Sequence, residues 1–152
     1  MKEELLKIYN STTYLVPSLD LEIRPGIQNS RLNEVLAHYG VNTFSFITAY
    51  NPNGIETLGR LNREAHNRLI VEVSRLGLQY VEGYGRGSNG WKEEISLLIL
   101  GISLVESGIL SQKFKQKAFV FGQINEAPPL SGQNPISLND NGSNMAKRQG
   151  CI

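Results

Sequence analysis

Cysteine is all but missing from this chain: among 152 residues there is one, Cys151. A single thiol closes no internal disulfide, which excludes a disulfide-stapled secreted scaffold. Cys151 also stands second from the end rather than fourth, so it does not match a prenylation box. Histidine is nearly as scarce, with His38 and His66 alone, and no Cys or His pair has the spacing of zinc ligands, so neither a metal nor another cofactor is expected. Charge of one sign is lacking as well. Lys and Arg number 15 against 14 Asp and Glu, a net charge of +1, which gives no global drive toward nucleic acid or an anionic membrane. No apolar run approaches the ~20 residues that span a bilayer, and the opening "MKEELLKIYN" is charged where a signal peptide needs an apolar centre. These absences point to a cytoplasmic protein that does not engage a membrane.

What is present suits one compact domain: 40% hydrophobic and 19% charged residues, at a length that buries roughly two thirds of the unfolded surface. After a short amphipathic start around Leu5, Leu6 and Ile8, "TTYLVP" and "LDLEIRP" read as strands, the second alternating Leu19, Leu21 and Ile23 against Asp20, Glu22 and Arg24. "SRLNEVLAHYG" carries an apolar stripe through Leu32, Val35, Leu36 and Tyr39, with Asn29 or Ser30 as the cap and Gly40 as the stop. "TFSFITAY" is a strand closed by the turn "NPNG". The longest helix runs from about Leu58 to Leu76. The strand "LQYVEGYG", a glycine-rich loop and the strand "ISLLILGIS" follow, the last apolar enough to be buried on both faces. "SLVESGILSQKF" reads as a short helix and "KAFVFG" as a last strand. The alternation implies an α+β domain over residues 1–124, a mixed β-sheet with helices packed on it. Residues 125–152, rich in Pro, Gly, Asn and Ser, read as an irregular tail.

Two features draw attention to a site. On the wheel of the long helix, Leu58, Ala65, Leu69, Val73 and Leu76 share a face with Asn62 and His66. A buried amide or imidazole is costly unless something bonds it. Asn62 and His66 therefore either face a ligand pocket or bond backbone at a strand end. The second feature is "YVEGYGRGSNGW". It fits neither a phosphate-binding G-x-x-x-x-G-K-[ST] loop nor a dinucleotide fingerprint, because Trp91 stands where the lysine should be and the third glycine comes too early. Gly83, Gly85 and Arg86 could still touch an anion through backbone N–H groups and a guanidinium, or the glycines could only turn the chain. After it, Trp91 and Glu93 share one side of a strand and Glu94 the other. Glu93 is a candidate acid or base, with Glu82 a second on the facing strand; a surface ion pair is the plainer reading for both.

The segments "SFITAYNP", "LNREAHNRL", "VEGYGRGSNGWKEEISLLILGI" and "FKQKAFVFG" resemble a bacterial family known as domain of unknown function 3293, across about residues 9 to 123. Tyr50 stands where that family usually has tryptophan, and Ile95 where serine is common. The resemblance implies a small bacterial cytoplasmic α+β domain and no particular activity. It draws attention to Asn51-Pro52, Asn62, Asn67, the glycine loop and Trp91 with Glu93. The reading that follows is a binder of a small anionic metabolite or nucleotide, with Tyr50, Asn51, Asn62, Asn67, Gly83, Gly85, Arg86 and Trp91 as its ligand-binding residues. Two alternatives stand beside it. One is a protein-interaction module, for example a phage or host-defence accessory protein whose protein partner meets the tail and the glycine loop. The other is an acid–base enzyme using Glu93 or His66.

Overall fold

The computed structural model describes residues 12–87, 92–124 and 136–138. The helix expected near Leu5, the residue Trp91, Cys151 and most of the 125–152 stretch lie outside these. In chain order the elements are β1 (Thr13–Val16), β2 (Leu21–Ile23), α1 (Ser30–His38), β3 (Thr43–Thr48), α2 (Gly59–Arg75), β4 (Gln79–Arg86), β5 (Glu94–Leu100), α3 (Leu104–Lys113), β6 (Ala118–Gln123) and β7 (Ile136–Leu138). The last of these lies inside the stretch read as an irregular tail. Short 3-10 turns occupy Pro17–Leu19 and Pro52–Gly54.

The caps explain where the helices begin and end. Asn29 accepts the Leu32 N–H at 2.9 Å and opens α1. Ser103 and Glu106 form a reciprocal capping box on α3. Gly40 and Gly77, at φ 69° and 74°, supply the left-handed residues that close α1 and α2.

The strands form one sheet in the order β2-β1-β4-β5-β3-β6-β7. The fold is α+β, but the sheet is antiparallel at every pairing rather than mixed. The reason lies in the crossovers. β3 and β4, joined through α2, do run in the same direction, as a helical crossover requires. However, β5 folds back from β4 and inserts between them. In the same way β3 separates β5 from β6, the strands joined through α3. The unit β3-α2-β4-β5-α3-β6 is thus a split βαβ pair of the ferredoxin-like kind, extended at one edge by β1 and β2 and at the other by β7.

Helices α2 and α3 cover one face of the sheet. Ala65, Leu69 and Val73 from α2 and Leu104 and Leu110 from α3 pack there on Ile47, Leu97, Ile99, Phe119 and Phe121. The opposite face is only partly covered. There α1, through Leu32, Val35 and Leu36, packs with Val16, Leu21 and Ile23 on Phe44, Phe46, Leu98, Leu100 and Val120. Alternation along β5 sends Leu97 and Ile99 to the first core and Leu98 and Leu100 to the second, so the strand is buried on both sides, as its unbroken apolar run implies. Each such fully buried side chain stabilises the fold by about 1.5–3 kcal/mol relative to exposure. Leu58 and Leu76, expected on the core face of the long helix, flank α2 at its caps and are exposed, Leu58 by 68% and Leu76 by 44%.

Candidate functional site

The site is built from the turn after β3. "NPNG" places Asn51, Asn53 and Gly54 at φ 51°, 61° and 73°, left-handed backbone that asparagine tolerates and glycine adopts freely. The turn is held from three directions. Asn53 donates its backbone N–H to the carbonyl of Lys115 at 2.8 Å. Gln116, buried in the turn after α3, donates Nε2 to the carbonyl of Tyr50 at 3.0 Å. From α2, Asn62 accepts the Asn51 N–H on Oδ1 at 2.8 Å and donates Nδ2 to Asn51 Oδ1 at 3.0 Å and to the carbonyl of Thr57 at 3.2 Å. The buried amide on the helix thus satisfies its bonding capacity on a strand end.

This arrangement fixes the Asn51 side chain. Its Oδ1 accepts from Asn62 and also from the Thr57 N–H at 3.0 Å. A backbone N–H can only donate, so the other end of the amide must be the NH2 group. That group donates to Glu94 Oε2 at 2.8 Å. Glu94 starts β5 opposite Gly85 of β4. Alternation places it with Ser96, Leu98 and Leu100 on the side of the sheet that carries α1.

There a cavity of about 120 Å³ lies between the ends of β1, β4, β5, β3 and β6. Tyr14, Phe46, Ala118 and Val120 give it apolar walls, Thr48, Ser96, Asn51 and Glu94 its polar end, and Lys92 and Lys117 border it. Gly85 contributes by what it lacks: a Cβ at this position would reach into the space beside Thr12 and Tyr14 with ordinary contacts of 3.5–3.6 Å. Gly83 has a different task. A Cβ there would stand 2.4 Å from the carbonyl oxygen of Leu15, so glycine is required for β1 to approach β4.

Burial raises the Glu94 carboxyl above the usual glutamate range, and the hydrogen bond from Asn51 opposes this in part. Among the described residues Glu94 makes no ion pair; Lys92, the near cation, pairs with Glu56 at 3.5 Å. A desolvated carboxyl with one amide partner, set in an apolar pocket, reaches its neutral form more readily than an exposed one, and in that form it can donate as well as accept a hydrogen bond.

The residues singled out from the sequence divide among three places. Asn51 and Gly85 line the cavity, with Asn62 behind Asn51. Tyr50 and His66 meet edge to face on the α2 side, ring centroids 6.4 Å apart, and His66 Nε2 lies 2.8 Å from Glu82 Oε2. Asn67 is exposed on the outer side of α2. Arg86 lies over the ring of Tyr84 and pairs with Glu93 at 3.1 Å on the surface; it does not line the cavity, although its neighbours Gly85 and Gly87 do. Glu93 thus takes the surface pairing, and its neighbour Glu94 takes the pocket. The sequence carries no signal for this, because the strand is apolar on both faces: counting back by twos from Leu98 reaches Glu94, and from the equally buried Leu97 reaches Glu93. Thr48, Gln116 and Lys117 carry none either, since chain folding alone brings them to the same end of the sheet. Among the described residues no cluster of His, Cys, Asp or Glu could hold a metal ion, and no helix is long and apolar enough to cross a membrane.

Residues 47–119 match the profile of a family described as protein of unknown function, DUF3293. The match lies inside the span of the resembling motifs and runs from β3 to the start of β6. It therefore takes in nearly all of the split βαβ pair, together with Asn51, Asn62, Gly85, Glu94 and Gln116. No curated protein and no solved structure matches the chain.

Proposed function

We propose that this protein binds a small anionic metabolite in the cavity headed by Glu94. The observation that carries this reading is a desolvated carboxyl held by Asn51 at the end of an apolar cavity whose border is lined by lysines. Binding pockets commonly combine apolar walls with a few fixed polar groups and a carboxyl displaced from its ordinary titration range. Lys92 and Lys117 supply positive charge at the border of the space, which favours an anion over a cation, and Glu94 can admit that anion in its neutral form. A cavity of about 120 Å³ is of the order that takes one ring or a short acyl group. A larger ligand, such as a nucleotide, would place only one end in it.

Thermal unfolding of the wild type and of Gly85→Val in the presence of a panel of small anions tests the reading. The valine side chain projects into the cavity from a position where a Cβ itself meets no clash. Ligands that raise the Tm of the wild type and leave the variant unmoved support the site. A panel that shifts neither protein, or both equally, removes it.

A further inference from the structure

We infer that the anion is a small carboxylate with an apolar body, and that Glu94 meets it as a hydrogen-bond donor, so that one proton is taken up when the ligand binds. The inference rests on the binding reading above and adds the ligand class and its linkage to pH. The geometry supplies the reasons. The cavity is too small for a large polar ligand, and Tyr14, Phe46 and Val120 provide walls that an aliphatic chain or an aromatic ring would fill. Its polar end offers donors suited to a carboxylate. Asn51 Nδ2 has two hydrogens, one directed at Glu94 Oε2 and a second that meets no acceptor among the described residues. Glu94 Oε1 makes no hydrogen bond among the described residues, and protonation there would create a donor facing the ligand.

The titratable and charged groups that border this carboxyl are few. They are the Tyr14 phenol from β1, Lys92 ahead of β5, with Glu56 paired to it, and Lys117 ahead of β6. The nearby Glu93 and Arg86 neutralise each other on the surface. A carboxylate brought beside Glu94 would repel the ionised form and favour the neutral one, which then donates its O–H to the ligand oxygen. Two carboxyl groups sharing one proton result, with the proton drawn from the solvent. The lysines at the border stabilise the single remaining charge. A cationic amine would do the opposite, forming an ion pair with ionised Glu94 and releasing any proton it held.

Calorimetric titration with butyrate and benzoate tests the inference, with butylamine, benzylamine and benzamide as comparisons. Each is run at several pH values and, at each, in two buffers, phosphate and Tris, whose heats of ionisation differ. The expected result is carboxylate binding with net proton uptake, and an affinity that weakens toward tenfold per pH unit once Glu94 is ionised in the free protein. Glu94→Gln should bind the same carboxylates with no proton uptake and a flat pH profile, because its amide still accepts from Asn51 and donates through Nε2. Glu94→Leu, which fills the space without a donor, should bind them at least tenfold more weakly. Binding of the amines or of benzamide in preference to the carboxylates would overturn the ligand class and leave the pocket standing. Carboxylate binding without proton uptake, or an unchanged pH profile in Glu94→Gln, would overturn the role of Glu94. If no compound in the panel binds, the inference falls, while the binding reading is decided separately by the anion panel against the wild type and Gly85→Val.

Discussion

Asn62 and His66 lie one turn apart on the same face of α2, and they are almost equally buried, 5% and 6% exposed. The surroundings treat them differently. The Asn62 amide gives both hydrogens to acceptors and accepts a backbone N–H, and each of these bonds ends on the turn that positions Asn51. Among the described residues His66 has one hydrogen-bond partner, the half-exposed carboxylate of Glu82, while its buried Nδ1 has none. One buried polar side chain is therefore part of a continuous network that ends at Glu94 and the cavity. The other ends at the protein surface on the opposite side of the sheet. Equal burial does not mean equal consequence: the number of groups left unpaired when a side chain is removed decides its energetic importance.

The largest effect is expected from Asn62→Leu, which keeps the volume and removes the amide. The Asn51 N–H and the Thr57 carbonyl lose their partner, and the turn loses the group that fixes it to α2. Stability should fall by about 3 kcal/mol, the sum expected for burying unpaired backbone groups. Urea unfolding measures this; a loss of under about 1 kcal/mol would mean that water replaces the amide and that the network is not what holds the turn.

Asn51→Gly sharpens the same point one step nearer the cavity. Glycine adopts the left-handed backbone without strain, so the change isolates the side-chain bonds to Thr57, Asn62 and Glu94. A loss of about 2 kcal/mol is expected. The hydrogen bond that opposes the effect of burial on Glu94 would also disappear, so the carboxyl should titrate at higher pH than in the wild type. Following the Glu94 side-chain carbon by NMR checks the direction of that change.

Glu94→Gln should act with the opposite sign. Burial raises the folded carboxyl above its unfolded value. Its contribution is thus fully present below the unfolded value and is lost as pH rises through the folded one. The glutamine cannot ionise, so near neutral pH the variant should be the more stable, by the ~2–4 °C that about 1 kcal/mol represents in a chain of this size. The gap should close as the pH is lowered toward 4. A difference that stays constant with pH would show that the carboxyl is not desolvated in solution.

Much of this architecture is legible in the amino-acid order. The strand and helix sequence from "TTYLVP" to "KAFVFG" appears in the structure in the expected order, because periodicity, caps and turn glycines are local signals. The direction of the sheet was not legible. Strand–helix–strand alternation suggests parallel neighbours, and only long-range insertion of β5 between β3 and β4 makes the pairing antiparallel. Of the site, the "NPNG" turn and the polar face of α2 were evident. The difference between Glu93 and Glu94 turns on a one-residue register, which alternation leaves open in a strand buried on both faces. Gly83 and Gly85 lie within β4, as the strand reading of "LQYVEGYG" implies, but their separate tasks, one admitting the Leu15 carbonyl and the other opening the cavity, depend on long-range pairing.

The smallest effect is expected where a buried histidine would ordinarily suggest a large one. In His66→Leu the group removed has one hydrogen-bond partner, and that partner, the Glu82 side chain, is 59% exposed and can turn to water. The unbonded Nδ1 disappears with the ring, and leucine buries apolar surface against the Leu69 and Tyr50 side of α2. Loss and gain oppose each other, so stability should change by no more than about 1 kcal/mol in either direction. Ligand binding in the Glu94 cavity should be unchanged, since His66 bonds Glu82 and meets the ring of Tyr50, neither of which lines it. The measurement that matters is the pair of variants side by side. A loss in His66→Leu as large as that in Asn62→Leu would mean that Nδ1 is bonded in solution and that the imidazole belongs to a network of its own. A small loss in His66→Leu beside a large one in Asn62→Leu would locate the polar chemistry of α2 at Asn62, the residue that reaches the cavity through Asn51.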